Sequence, residues 1–146
     1  MTSPRSVDEF REQLYSRKHT LHQLRVKLQA LPEDRRWTAL FSVFVDPGRP
    51  EADFADQESA GRLLIEIEPK CTDTLDDVLR AIAPRWNVSV EQLPLYLSRV
   101  FGREVVKETA TRLRSSFTEG SPEALALKTV CWWLSGRLPS RASEVR

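Results

Sequence analysis

Histidine, cysteine, glycine and methionine are all scarce in this chain of 146 residues, and their scarcity removes several chemistries at once. Two histidines, two cysteines and five glycines are present. Cys71 and Cys131 lie far apart and in no metal-ligand spacing, so the sequence reads as a reducing-compartment protein with free thiols rather than a disulfide scaffold. With so few glycines there is no phosphate-cradling loop and no nucleophile elbow. No apolar run approaches the roughly 18 residues of a membrane span, and Met1-Thr2-Ser3-Pro4-Arg5 leads into charged sequence rather than a signal peptide. The expected location is cytoplasmic, with no membrane partner.

His19 and His22 share a helical i, i+3 spacing, yet no acid or cysteine lies between Glu12 and Glu33 to complete a local metal site. Their neighbours Arg17, Lys18, Arg25 and Lys27 would repel a cation, so a solvated helix face is the better reading. Neither cysteine has a histidine near it in sequence to act as a base. The carboxylate pair Asp76-Asp77 falls in the opening turn of a predicted helix, where the helix dipole alone accounts for it. No catalytic residue, no metal ligand and no cofactor is therefore assigned.

What the chain does have is helix punctuation. Ser6-Val7-Asp8-Glu9, Ser89-Val90-Glu91-Gln92 and Ser121-Pro122-Glu123 read as helix starts; Gly102 and Gly136 stand where left-handed stops are wanted. From the first start a heptad stripe runs through Val7, Leu14, Leu21 and Leu28 and through Phe10, Arg17, Leu24 and Leu31. It predicts one helix of about 25 residues, roughly 37 Å long, ended by Pro32. The stripe reads as the core face of a bundle helix, the alternative being a coiled-coil homodimer through residues 7–31.

Trp37, Leu40, Phe41 and Phe44 predict a second helix over 33–45, and residues 57–68 a third. Residues 39–45 and 62–68 also read as strands, since Leu63, Ile65 and Ile67 alternate with Leu64, Glu66 and Glu68. The α+β alternative is thus a short strand pair there. Asp73 or Thr74 caps the next helix, which ends or kinks at Pro84. Pro94 would meet the Val90 carbonyl inside a helix begun at Ser89, predicting a kink or restart. Helices over 103–117 and from Pro122 to Ser135 complete the set. The last is apolar nearly all round and is expected to be central.

The fold class is mainly α: one domain over 1–146, with five or six antiparallel helices in a bundle or a short HEAT-like stack of hairpins. Residues 1–5 and 137–146 read as loose tails. The helix pair about Gly102 superficially suggests a DNA-reading helix-turn-helix. Arg103 follows the glycine directly, however, and Glu108 holds a position that motif needs apolar. A net charge of +1 also lacks the basic field of a duplex binder. That even total hides a segregation: residues 46–77 hold ten acids against Arg49, Arg62 and Lys70, while both flanks are net basic. The acidic middle could lie against those flanks, or it could recruit a basic partner. Phe54 stands in the 46–56 acidic loop with no helical face to join. The leading expectation is a non-catalytic protein-interaction module (an adaptor, inhibitor or immunity-type protein) meeting a basic protein partner through Glu51, Asp53, Phe54 and Asp56. The alternatives are a nucleic-acid-associated helical protein and an enzyme whose site forms only in space.

Overall fold

A computed structural model of the chain describes residues 6–46 and 54–135, and everything regular in them is helical. The elements are α1 (Val7–Tyr15), α2 (Leu21–Gln29), α3 (Glu33–Val45), α4 (Phe54–Ile67), α5 (Leu75–Ile82), α6 (Gln92–Phe101), α7 (Arg103–Arg114) and α8 (Pro122–Trp133). The mainly-α reading holds, but eight helices among the described residues replace the five or six expected.

One of the added helices comes from the long first helix, which is two. Ser6 caps α1 through the Glu9 N–H, as expected. Arg17, the one polar member of the heptad stripe, then takes φ +58° and turns the chain. A continuous helix would aim this guanidinium at the core; the break lets it reach Asp56 at 3.3 Å instead. Thr20 and Gln23 restart the chain with a reciprocal capping box, a signal the heptad pattern had hidden. Phe10, Leu14, Leu24, Leu28 and Leu31 are buried within the chain itself. The stripe is therefore core, and no unbroken coiled-coil seam forms over 7–31.

The strand pair is also absent. Residues 39–45 lie in α3 and 62–67 in α4. Adjacent Leu63 and Leu64 are both fully buried while Ile65 and Ile67 are only partly so, which a helix face allows and a half-buried alternating strand does not. Glu66 and Glu68, unfavourable at a helix C-terminus, are met by Arg25 at 3.7 Å and Arg99 at 3.2 Å. The helix also begins earlier than predicted, so Phe54 and Asp56 belong to α4 and not to a loop.

At Ser89 the expected capping box does not form. The Asn87 side chain accepts the Ser89 N–H at 3.0 Å, holding that residue in a turn, and α6 starts three residues later. Pro94 is then the third helical residue, where a missing N–H costs nothing and no kink is needed. The Val90 carbonyl accepts from the Trp86 indole at 3.0 Å. Downstream, Thr74 rather than Asp73 caps α5, Gly102 at φ +95° separates α6 from α7, and Ser121 caps α8. α7 stops at Arg114, short of the expected 117. The stop at Gly136 lies outside the described residues.

Packing joins α1 to α3, α3 to α4, α4 to α6, α6 to α7 and α7 to α8. Two of these pairings, α1 with α3 and α4 with α6, skip a chain neighbour, and three join consecutive helices, within an all-helical bundle. Trp37 is fully buried at its centre, stacked on Phe41 at 4.8 Å and Tyr96 at 5.4 Å, with its indole N–H on Asp73 at 2.7 Å. α8 is not central. It closes the described chain against α7 and leaves Leu125 and Trp132 more than 40% exposed on its outer side.

Candidate functional site

Of the four residues singled out by sequence the structure describes two, Phe54 and Asp56, both in α4 but differing in exposure. Asp56 is 3% exposed and its carboxylate meets Arg17, so it anchors the start of α4 on the α1–α2 turn and offers nothing to a partner. Asp46, at the other end of the same connection, accepts from the Tyr15 hydroxyl at 2.7 Å and lies 3.7 Å from Arg11. Both ends of the acidic connection are thus fixed to α1 and the turn after it. Phe54 opens α4 with its ring 44% exposed. Glu51 and Asp53 lie outside the described residues.

Much of the acidic middle is matched by the basic flanks. Asp46, Asp56, Glu66, Glu68 and Asp76 each lie within 4.0 Å of an arginine from another part of the chain. In the Asp76 pair a single Arg112 guanidinium nitrogen, Nη2, donates to both carboxylate oxygens at 2.9 and 3.0 Å. Exposed pairs like these are individually weak, about 0–1 kcal/mol, but they neutralise the field a distant partner would sense.

A second feature was not legible in sequence. Where α7 turns into α8, a groove of about 430 Å³ opens over Arg114, Phe117, Glu119 and Ala124, and a further 190 Å³ extends it to Leu125 and Lys128. Phe117 supplies a half-buried apolar wall and Leu125 a 56% exposed one. Among the described residues neither Arg114 nor Lys128 has an ion-pair partner, and Glu119 is the one carboxylate in the lining. The sequence marks Leu125 as apolar, but the groove brings together residues of α7, the 115–121 turn and α8 that no local pattern groups.

The chemistry-bearing residues elsewhere have structural work. Gln57, 2% exposed, donates to the Arg85 carbonyl at 3.0 Å and accepts the Asn87 N–H at 2.8 Å, clamping the turn before α6. Cys71 donates to the Asp73 carbonyl, and burial pushes its thiol above the ordinary value, which disfavours the nucleophilic thiolate. Tyr96 donates to the Pro69 carbonyl, and its hydroxyl is pushed well up by burial, with lesser contributions from Cys71 and Glu68. His19 sits in the α1–α2 turn and His22 beside Arg25, so they do not converge on one ion. Among the described residues no three of His, Cys, Asp and Glu group as metal ligands would. No described helix is long and apolar enough to cross a membrane. Comparison with family models, curated proteins and solved structures finds no match for this chain.

Proposed function

We propose that this chain is a non-catalytic protein-interaction module, of the adaptor, inhibitor or immunity type, that meets a basic protein surface through Phe54 and the carboxylates of Glu51 and Asp53. The observation that carries this reading is the exposed Phe54 at the head of α4, two residues from the buried Asp56, whose pair with Arg17 fixes the backbone there. An aromatic side chain held out on a rigid element loses little entropy on docking, which is what makes such residues effective anchors. Asp56 has a positioning role here and is not a contact. The free Cys71 and Cys131 support a cytoplasmic setting.

The test is binding of a partner recovered from cell extract, measured against wild type, Phe54→Ala and a Glu51→Gln/Asp53→Asn variant across a salt series. Phe54→Ala should weaken binding about tenfold or more, equivalent to about 1.4 kcal/mol. The charge variant should slow association and flatten its salt dependence. Unchanged affinity and rate in both variants, with the helical spectrum intact, would refute the reading.

A further inference from the structure

We infer that the α7–α8 groove is a binding site for a small organic carboxylate, its anionic head taken by Arg114 and Lys128 and its apolar body laid on Phe117 and Leu125. The site draws on no residue of the Phe54 surface and goes beyond the interaction reading.

Arg114 carries the inference. It lines both the cavity of about 430 Å³ and its extension of about 190 Å³, and it is half-buried. Among the described residues its guanidinium makes no hydrogen bond and no ion pair. Arg11, Arg25 and Arg36 are half-buried too, yet each of those guanidiniums meets a carboxylate or a carbonyl oxygen within 3.7 Å. A guanidinium has five donors and keeps its charge, so taking it part way out of water without an acceptor is costly. One left unpartnered in the wall of a cavity marks a place for an anion. The hydroxyls of the lining are already engaged: Ser115 donates to the Arg112 carbonyl at 2.7 Å, and Thr111 lies 3.6 Å from the Cys131 sulfur. The free donors are therefore Arg114 and, where the extension runs along α8, Lys128.

The rest of the lining chooses among anions. Arg114 and Lys128 against Glu119 leave a net charge of +1 among the described lining residues. That matches a carboxylate, whereas a phosphate ester carries up to about two negative charges. The planar guanidinium fork also suits a carboxylate, which it can hold by two parallel hydrogen bonds. Phe117, Ala124 and Leu125 supply an apolar wall that a bare acetate or inorganic phosphate would leave uncovered. Cavity and extension together fall within the roughly 300–1,000 Å³ of small-molecule sites, enough for a ring-sized body behind the head. Ala124 belongs to the first turn of α8, so the helix dipole adds to the positive potential there.

Phenylacetate is the probe, with phenethyl alcohol as its uncharged counterpart and acetate and phenyl phosphate as the other anions. Each is titrated into the full chain and followed by amide NMR shifts and calorimetry. Phenylacetate should bind saturably with Kd below about 1 mM and move the amides of residues 114–128. Phenethyl alcohol and acetate should each bind about tenfold more weakly or worse, since each lacks one half of the contact. Arg114→Gln should weaken phenylacetate about tenfold and leave the Tm of the free chain unchanged, because Arg114 has no partner within the chain to lose. Glu119→Gln should tighten binding by removing the opposing charge. If Arg114→Gln alters the circular dichroism spectrum, Lys128→Gln on the exposed side of α8 replaces it, and it too should weaken binding. Absence of saturable binding overturns the inference, as does an alcohol that binds as well as the acid or a groove variant that binds like wild type. Tighter binding of phenyl phosphate than of phenylacetate overturns it as well, since the groove would then be a phosphate site.

Discussion

Replacing Trp37 tests the packing argument where it is most concentrated. The indole is fully buried between Phe41 and Tyr96 and donates to Asp73 at 2.7 Å, so one side chain joins α3, α6 and the segment before α5. Trp37→Ala removes the whole ring from a core that cannot close over it and should cost about 3–5 kcal/mol. Against the roughly 5–15 kcal/mol typical of a domain, that is a large share. For a chain of this size each kcal/mol lowers Tm by about 2–4 °C, so the alanine variant should melt roughly 6–20 °C lower.

Trp37→Phe separates the contributions. It keeps an aromatic face for stacking but loses the N–H donor and part of the ring. Asp73 is exposed and can be rehydrated, so the hydrogen bond itself should be worth only about 1 kcal/mol. A double-mutant cycle of Trp37→Phe with Asp73→Ala isolates that coupling. Urea unfolding followed by far-UV circular dichroism is the assay, because tryptophan fluorescence would change with the mutation. An alanine variant destabilised by less than about 1 kcal/mol would show that the stacked cluster is not the keystone described here. A coupling of zero would remove the indole–carboxylate bond alone from the account.

Thr20→Ala should cost about 1 kcal/mol in thermal melts by opening the α2 capping box, while Ser89→Ala should be near neutral because α6 begins beyond it. Gly61→Ala should destabilise. A Cβ there would stand 2.8 Å from the Gln92 Cβ and 3.2 Å from Val90, and overpacking of about 1–3 kcal/mol outweighs the ~1 kcal/mol gain in helix propensity; urea midpoints decide the sign. Cys71 and Tyr96 both have raised pKa values, so the unfolded chain loses these protons first as pH rises. Their contribution is complete below the ordinary thiol value near 9.0 and declines above it. Unfolding free energy measured across that range should fall less steeply in Cys71→Ala.

Local signals were legible and long-range ones were not. Ser6, Gly102 and Ser121 act within three or four residues of themselves, and each does in the structure what its sequence context implies. Ser89 carried an equally good local signal and lost. Asn87 takes the Ser89 N–H, and Gln57 on α4 holds the Asn87 backbone from 30 residues away. The heptad stripe placed the right side chains in the core but could not show the break, because what favours it is Asp56, 39 residues from Arg17. The same partner explains why Asp56 reads as a surface acid in sequence and is 3% exposed in the fold. Phe54 was misplaced by its polar surroundings, which read as loop, whereas it belongs to α4 with 44% of its surface exposed.

The fate of the acidic middle narrows what any partner can sense. Of its ten carboxylates, five meet arginines from elsewhere in the chain, Glu58 lies 3.7 Å from Arg62 on its own helix, and Asp73 accepts from Trp37. Asp77 sits in the first turn of α5, where the helix dipole favours a negative charge. Counterion exchange on association counts only charges that change neighbours, so a basic partner should respond to salt as a contact with two or three carboxylates does, not ten. A steep dependence would mean that the internal pairs open on binding. Because Asp46 and Asp56 fix the two ends of the connection, opening them would also release the backbone that carries Phe54, and affinity would fall with the aromatic anchor intact.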